Sequence, residues 1–496
     1  MRMMNRRHFL LSAAAATTLP HLRSLAQAPA ATLSLHPDRP GPKVPANFVG
    51  LSYETQQLSD PTFFTPANTG LVARLRELAP HGVLRLGGNT SDYGFWKPTP
   101  TSVAPPRPKR PYKVGDPPPD LSYAVTPEAV RNLHGFLEAT GWTCLYGINL
   151  GTNTPQLAAD EAAFVAKTLG PRLEYFQIGN EADRFGSTIR DPKLTGHPWN
   201  ADAYLNEWLT FTKAILARVP NAKFGLPDVA SNAEWITAVG DRLQNNPIRE
   251  HVACITHHYY IGGPPSNPQM TIERILKADS RVPRDAALVR ASAAKLHTGY
   301  RMSEGNTCYR GGKPGVSDVF AAALWSADYM LLLASLGYAG VNLHGGDAQM
   351  VANSLGGTLP GDAIVLAEHG NPSEHPHPYY TPVAHIGDKY LLEPVAFGMR
   401  FAGLFAGATV VPVDFNPGNV NATAYAAKHP DGTTVVAVIN KDLSQNLPLN
   451  LPGFHAEYAL TAPAANARQA SLMRTTQASL THVLPHTSAA IFRSRG

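Results

Sequence analysis

Two carboxylates far apart in the chain are the residues best suited to do chemistry. Glu181 ends the run LEYFQIGNEADR (173–184), where alternating apolar residues stop at an amide and an acid, Asn180 and Glu181. Glu304 follows 123 positions later in YRMSEGN, where a second strand-like run stops at an acid followed by glycine. Two such acids facing each other across a sugar ring can hydrolyse a glycosidic bond, one protonating the leaving oxygen while the other attacks or activates water. In that scheme Glu304 is the ionised nucleophile and Glu181 the acid/base, holding a proton at the outset, and each charge state shifts the other's pKa. Carboxyl groups about 5–5.5 Å apart would mean retention of configuration, and about 6.5–9.5 Å inversion. Asn180 is placed to bond the sugar 2-hydroxyl. An Asn-Glu pair alone says little, so the case depends on the elements that position both acids.

Those elements read as alternating strands and helices. Strand candidates are FVGLSYE (48–54), VLRLGGN (83–89), TCLYGINL (143–150), LEYFQIGNE (173–181), KFGLPDV (223–229), ACITHHYY (253–260), YRMSEG (300–305) and GVNLHGG (340–346). Helical spacing fills the gaps, as at 126–140, 201–219, 285–297 and 317–336. Eight βα units specify an α/β fold, a (β/α)8 TIM barrel, in which polar residues at strand C-terminal ends line the active-site mouth. Glu181 then ends the fourth strand and Glu304 the seventh. Glu54, Asn89, Asp228, His257, His258, Tyr259, Tyr260 and His344 crowd the same rim.

Two excursions leave it. Residues 97–120 contain nine prolines and should be extended, as a subsite wall or a stiff spacer. Residues 346–382 carry the cluster His375-Pro376-His377-Pro378-Tyr379-Tyr380. After an expected last helix at 388–402 the texture becomes β-rich, with a hairpin signal at His429-Pro430-Asp431-Gly432, and a β-sandwich is expected at 405–496. The barrel should span 47–404, with the segment 29–46 giving a strand to the β-domain.

The first 28 residues have the form of an export leader, with Arg6-Arg7, an apolar stretch and Ala26-Gln27-Ala28, and NRRHFLL resembles the twin-arginine signal. The expected location is therefore exported, periplasmic or secreted. The leader holds four of the 42 basic residues and no acid, which leaves 38 basic against 37 acidic. With no excess positive field, nucleic acid is not an expected partner; the basic run at 109–113 is the local exception. No later stretch reads as a membrane span, and oligomeric state is open. Cys144, Cys254 and Cys308 form neither a closely spaced disulfide framework nor a zinc pattern. His257 and His258 would point to opposite faces of a strand, so no metal or other cofactor is expected, and one inward histidine in a hydrogen-bond network is the better reading.

Asn180-Glu181, Glu304 and the stretch SEGNTCYRGGKPGVSDVFAAALW resemble glycoside hydrolase family 79, the heparanases and bacterial β-glucuronidases. The resemblance implies retention, with Glu181 as acid/base and Glu304 as nucleophile. It also implies that Tyr309 and Gly311 bind the carboxylate of a glucuronic acid, and LRLGGNTSDY, with Arg85 and Asn89, is similar to the family's second-strand motif. Arg310 and Lys313 stand where heparanases have small residues, and basic heparin-binding clusters are missing. The expected function is thus an exo-acting β-glucuronidase on glycans or glycoconjugates, with or without a 4-O-methyl group on the sugar. The alternatives are a retaining glycosidase of the same clan acting on a neutral sugar, and a non-catalytic carbohydrate-binding barrel. Glu54, Asn89, Tyr260 and Tyr380 complete the expected substrate contacts, with Tyr379 as the alternative to Tyr380 and Glu54 either touching substrate or orienting a neighbour.

Overall fold

The computed structural model describes residues 30–106, 114–230, 232–475 and 483–494. The leader and the basic run at 109–113 lie outside them. Eight parallel strands close into a barrel: β1 Val49–Glu54, β2 Val83–Gly87, β3 Thr143–Ile148, β4 Leu173–Ile178, β5 Phe224–Val229, β6 Val252–Gly262, β7 Gly299–Cys308 and β8 Val341–His344. They follow chain order around the ring, and β8 closes on β1 with Val341 opposite Val49. Each strand segment singled out in the sequence forms one of them. Strands covered by helices outside and filled by side chains inside have no wet face, so their sequences are apolar runs rather than alternations; β1, β2 and β5 are buried at every residue.

The helices start where their caps dictate. Thr126 and Thr154 accept the amides of Ala129 and Leu157 through their hydroxyls, each followed by proline in the first turn. The helix Phe320–Ser335 is buried on nearly every side. One side meets the helix Pro394–Gly403, where a β-carbon on Gly398 would stand 2.0 Å from the Ala323 carbonyl oxygen, so only glycine fits. Another meets the C-terminal sheet, where its Asp328 accepts Thr423 Oγ1 at 2.6 Å, Tyr425 at 2.7 Å and Lys441 Nζ at 2.5 Å. An all-round apolar sequence is what such a sandwiched helix requires.

That antiparallel sheet has six strands in the order Thr409–Val411, Ala422–Lys428, Thr434–Asn440, Ser488–Ser494, Phe454–Thr461 and Ser471–Arg474. Val435, Ala437 and Ile439 face the barrel core, while Val436 and Val438 face away. The outer face is covered by two short ribbons, Thr32–Leu35 with Val413–Asn416 and Leu447–Pro448 with Val483–Leu484. The segment preceding the barrel is thereby stitched to the chain's β-rich end. The three cysteines are buried and unbridged. No described helix is long and apolar enough to cross a membrane.

Both excursions are anchored. Gly94–Trp96 pairs in parallel with Tyr123–Val125, which clamps the start and end of the proline-rich one. The other, read from sequence as a loop, contains the helices Ala348–Ser354 and Pro360–Ala367. Helices of 7 and 8 residues are too short to show a clear period in sequence.

Candidate active site

The floor of the site is Arg85 on β2, a fully buried guanidinium. It donates to Glu304 Oε2 at 2.6 Å, Asn180 Oδ1 at 2.7 Å, Gln177 Oε1 at 3.1 Å and Ser52 Oγ at 3.1 Å, and also pairs with Asp228. Four other strands are thus read by one side chain. Such a cation is tolerable only because every donor is spoken for and two carboxylates offset its burial.

Glu304 sits inside β7 rather than at its end, and strand parity alone would turn it and Ser303 to opposite faces. The register slips between Met302 and Glu304, a bulge that brings both inward. Ser303 bonds Asp228, and Glu304 accepts Arg85 on one oxygen and Tyr260 on the other at 2.9 Å. Burial pushes the Glu304 carboxyl up, but the charges of His344, His258 and Arg85 outweigh it and bring it down to about 2. His344 lies 3.7 Å from Glu304 and 3.5 Å from Glu54. Although burial opposes its charge, Glu304 and then Glu54 raise its pKa. Glu54 also accepts the amide and hydroxyl of Thr90, so it orients neighbours from the cavity wall.

Glu181 stands three residues past the end of β4, in the left-handed region at φ 46°, opening the 3-10 turn Ala182–Ser187. Asp228 on β5 is also left-handed, at φ 57°, and its carbonyl accepts the Glu181 amide at 2.9 Å. Two strained non-glycine residues, side by side, mark backbone held in place for side-chain aim. Asp92 performs a similar service, its carboxyl accepting the amides of Leu150, Gly151 and Asn180.

His258 joins the two acids. Its Nδ1 is 3.1 Å from Glu181 and 3.9 Å from Glu304, and its Nε2 is 3.1 Å from Asp228. Burial disfavours its charge, yet Asp228 and Glu304 carry its pKa to about 10. Glu181 is also pushed up by burial, but the hydrogen bond and charge of His258 and the charge of Arg184 bring it below the usual carboxylate range. The sequence reading has Glu181 protonated at rest; the lowered pKa of Glu181 and the raised pKa of His258 favour the proton on the imidazole beside it. His257 turns the other way, to the Tyr338 hydroxyl at 2.9 Å, and burial lowers its pKa to about 4.

Donor atoms of Glu181, His258 and Glu304 lie within 4.8 Å of one another, close enough to surround a cation. A metal ion there would have to displace the proton that the carboxylates hold on His258.

These groups open into a cavity of about 650 Å3. Asn89, Tyr260, Tyr309 and Tyr380 line it, as do Arg184 and Arg310. Tyr260 spends its hydroxyl on Glu304, so its contact with a ligand would be through the ring. Tyr379 is committed to Asp362 at 2.8 Å, which leaves Tyr380 as the tyrosine of that pair facing the cavity. Gly311 has φ 88° and its α-carbon faces Leu359, so its side-chain position is not on the cavity wall. Lys313 donates to the Asn267 carbonyl, whereas Arg310 stretches to Gly115 at the return of the proline-rich excursion. Sequence reasoning missed Arg184 and Asp116. Arg184 follows Glu181 by three residues and bonds its Oε2 at 3.0 Å, a spacing that could have revealed it.

No protein-family model matches the chain. It is 27% identical over 295 residues to a β-glucuronidase of Neurospora crassa, covering 53% of this chain and 50% of the relative. It is 27% identical over 310 residues to a β-glucuronidase of Aspergillus niger, covering 58% and 55%. The chain therefore spans about half the length of the curated relatives it matches. Among solved structures, a 4-O-α-L-rhamnosyl-β-D-glucuronidase from Fusarium oxysporum superimposes with a TM-score of 0.65 at 18% identity, over 94% of this chain and 99% of that one. A GH51 arabinofuranosidase from Xanthomonas axonopodis pv. citri gives 0.61 at 16% identity, over 94% and 100%. At such identities the likeness is one of fold, and that fold is a (β/α)8 barrel carrying an additional β layer.

Proposed function

We propose that the protein is a retaining glycoside hydrolase that removes β-D-glucuronic acid from the end of a glycan or glycoconjugate. The observation that carries this reading is the approach of Glu181 and Glu304, with carboxylate oxygens within 4.8 Å, one residue just past strand four and the other within strand seven. That spacing favours direct attack by Glu304, because inversion needs about 6.5–9.5 Å to admit a water. The partial likeness to two β-glucuronidases supports the choice of sugar.

In the forward half-reaction Glu304, ionised and held by Arg85 and Tyr260, attacks the anomeric carbon. The leaving oxygen takes a proton from Glu181, which draws it from His258 Nδ1 along their 3.1 Å contact. An incoming sugar displaces water and, if acidic, adds negative charge, and both effects favour a neutral Glu181. Esterification removes the charge of Glu304, and Glu181 then serves as base toward water. Asn180 Nδ2 is left to donate to the 2-hydroxyl, since its oxygen is taken by Arg85. The Tyr309 hydroxyl, which has no partner among the described residues, and Arg310 are suited to the uronate.

The test is a panel of aryl β-glycosides, followed by trapping with a fluorinated glucuronide. Turnover of the glucuronide with adduct on Glu304, and loss of activity in Glu304→Ala, are expected. Preference for an arabinoside or xyloside would assign a neutral sugar instead, and absence of turnover would leave a binding protein.

A further inference from the structure

Beside the acid/base lies a small cleft, about 40 Å3, bordered by Asn89, Asp116, Asn180, Glu181 and Arg184. Asp116 comes from the return of the proline-rich excursion and is only 4% exposed. Its Oδ1 is 3.5 Å from Arg184 Nη2, while Nη1 of the same guanidinium bonds Glu181 Oε2 at 3.0 Å. Its Oδ2 is buried and has no hydrogen-bond partner among the described residues. Buried acceptors are nearly always satisfied, and an orphan at a site is most simply read as waiting for a donor.

The geometry points to Asp116 as a residue that binds a hydroxyl of the leaving group, so that the enzyme selects glucuronides attached to a sugar or other polyol over those attached to a plain alcohol. The inference rests on the function proposed above. Glu181 protonates the glycosidic oxygen, the atom that joins the sugar to the departing group, and Asp116 is tied to Glu181 through Arg184. The cleft holds about one hydroxyl or one water, and a water there would be displaced on binding. Arg184 braces both carboxyl groups, which ties the reader of the leaving group to the residue that protonates it. Pro117, Pro118 and Pro119, which follow Asp116 directly, limit the conformational entropy lost in presenting it.

The test compares kcat/KM for a glucuronosyl-β-hexose disaccharide with that for methyl β-glucuronide. Both leaving groups are alcohols that need protonation, so the ratio isolates the extra hydroxyls from acid catalysis. Wild type should prefer the disaccharide by roughly tenfold or more, and Asp116→Ala and Asp116→Asn should each remove most of that preference. A wild type without preference, or variants that slow both substrates by one factor, would overturn the inference, since the carboxyl would then only brace Arg184. An aryl β-glucuronide run in parallel separates the two levels: its turnover with an unchanged ratio rejects Asp116 alone, whereas its failure in wild type rejects the function and this inference together. Asp116→Asn keeps the shape of the side chain, so the comparison survives if the alanine variant does not fold.

Discussion

Replacing His258 by glutamine tests the charge arrangement at the centre of the site. The imidazole is held at about 10 instead of its usual 6.5. At about 1.4 kcal/mol for each tenfold change in proton affinity, that rise corresponds to roughly 5 kcal/mol of interaction, to order of magnitude, between the imidazolium and the carboxylates around it. The native state binds this proton more tightly than the unfolded chain does. The stabilisation is therefore complete below pH 6.5 and is lost as pH rises from there to about 10. His258→Gln has no proton to lose in this window. Urea unfolding of both proteins at pH 6, 8 and 10 should show the wild-type advantage shrinking by several kcal/mol. In catalysis, kcat/KM of the wild type should hold up to well above pH 7 before its basic limb, and the variant should lose that limb. A stability difference that stays constant from pH 6 to 10 would refute a protonated His258 and the proton path drawn from it.

Tyr260→Phe removes a 2.9 Å donor from the ionised Glu304. Bonds to charged groups contribute about 1.5–3 kcal/mol, so kcat should fall roughly ten- to a hundredfold, with the acid limb moving to higher pH; a kcat within twofold of wild type would contradict the role given to that hydroxyl. Lys441→Met strands Asp328 at the junction of the barrel and the C-terminal sheet. Breaking such a pair from one side costs about 3–5 kcal/mol, so thermal unfolding should begin earlier while kcat at low temperature stays at the wild-type value, and equal stability would show the junction to be held by its apolar contacts alone.

The barrel was legible because its strands are short apolar runs at regular intervals, and burial on both faces leaves that trace directly in the sequence. The acids were legible because each stops such a run. What the sequence could not carry is parity and charge. Alternation along β7 would send Glu304 and Ser303 to opposite faces, and only the bulge after Met302 brings both inward. Glu181 was read as the last strand residue, but β4 ends at Ile178, and Glu181 owes its aim to a left-handed backbone. Nor does residue type tell where a proton sits. His258 was legible as an inward histidine, yet that it takes the proton expected on Glu181 depends on distances to three carboxylates from three strands.

These charges bear on substrate choice. The floor of the site sets Arg85 and His258 against Glu304, Asp228 and Glu181, with His344 between Glu304 and Glu54. Every donor of Arg85 and His258 is directed at a carboxylate, amide or hydroxyl already present. On the proposed reading, an acidic sugar brings one more negative charge into this enclosure, and the floor has nothing left to meet it. The counter-charge must then come from the rim, where Arg310, one residue beyond Tyr309, stretches across the mouth to Gly115 without an acidic partner among the described residues. Hydrolysis and preference for a uronate therefore rest on separate parts of β7 and its continuation. On that reading the strand supplies the nucleophile, and the turn that follows it supplies the discrimination between acidic and neutral sugars.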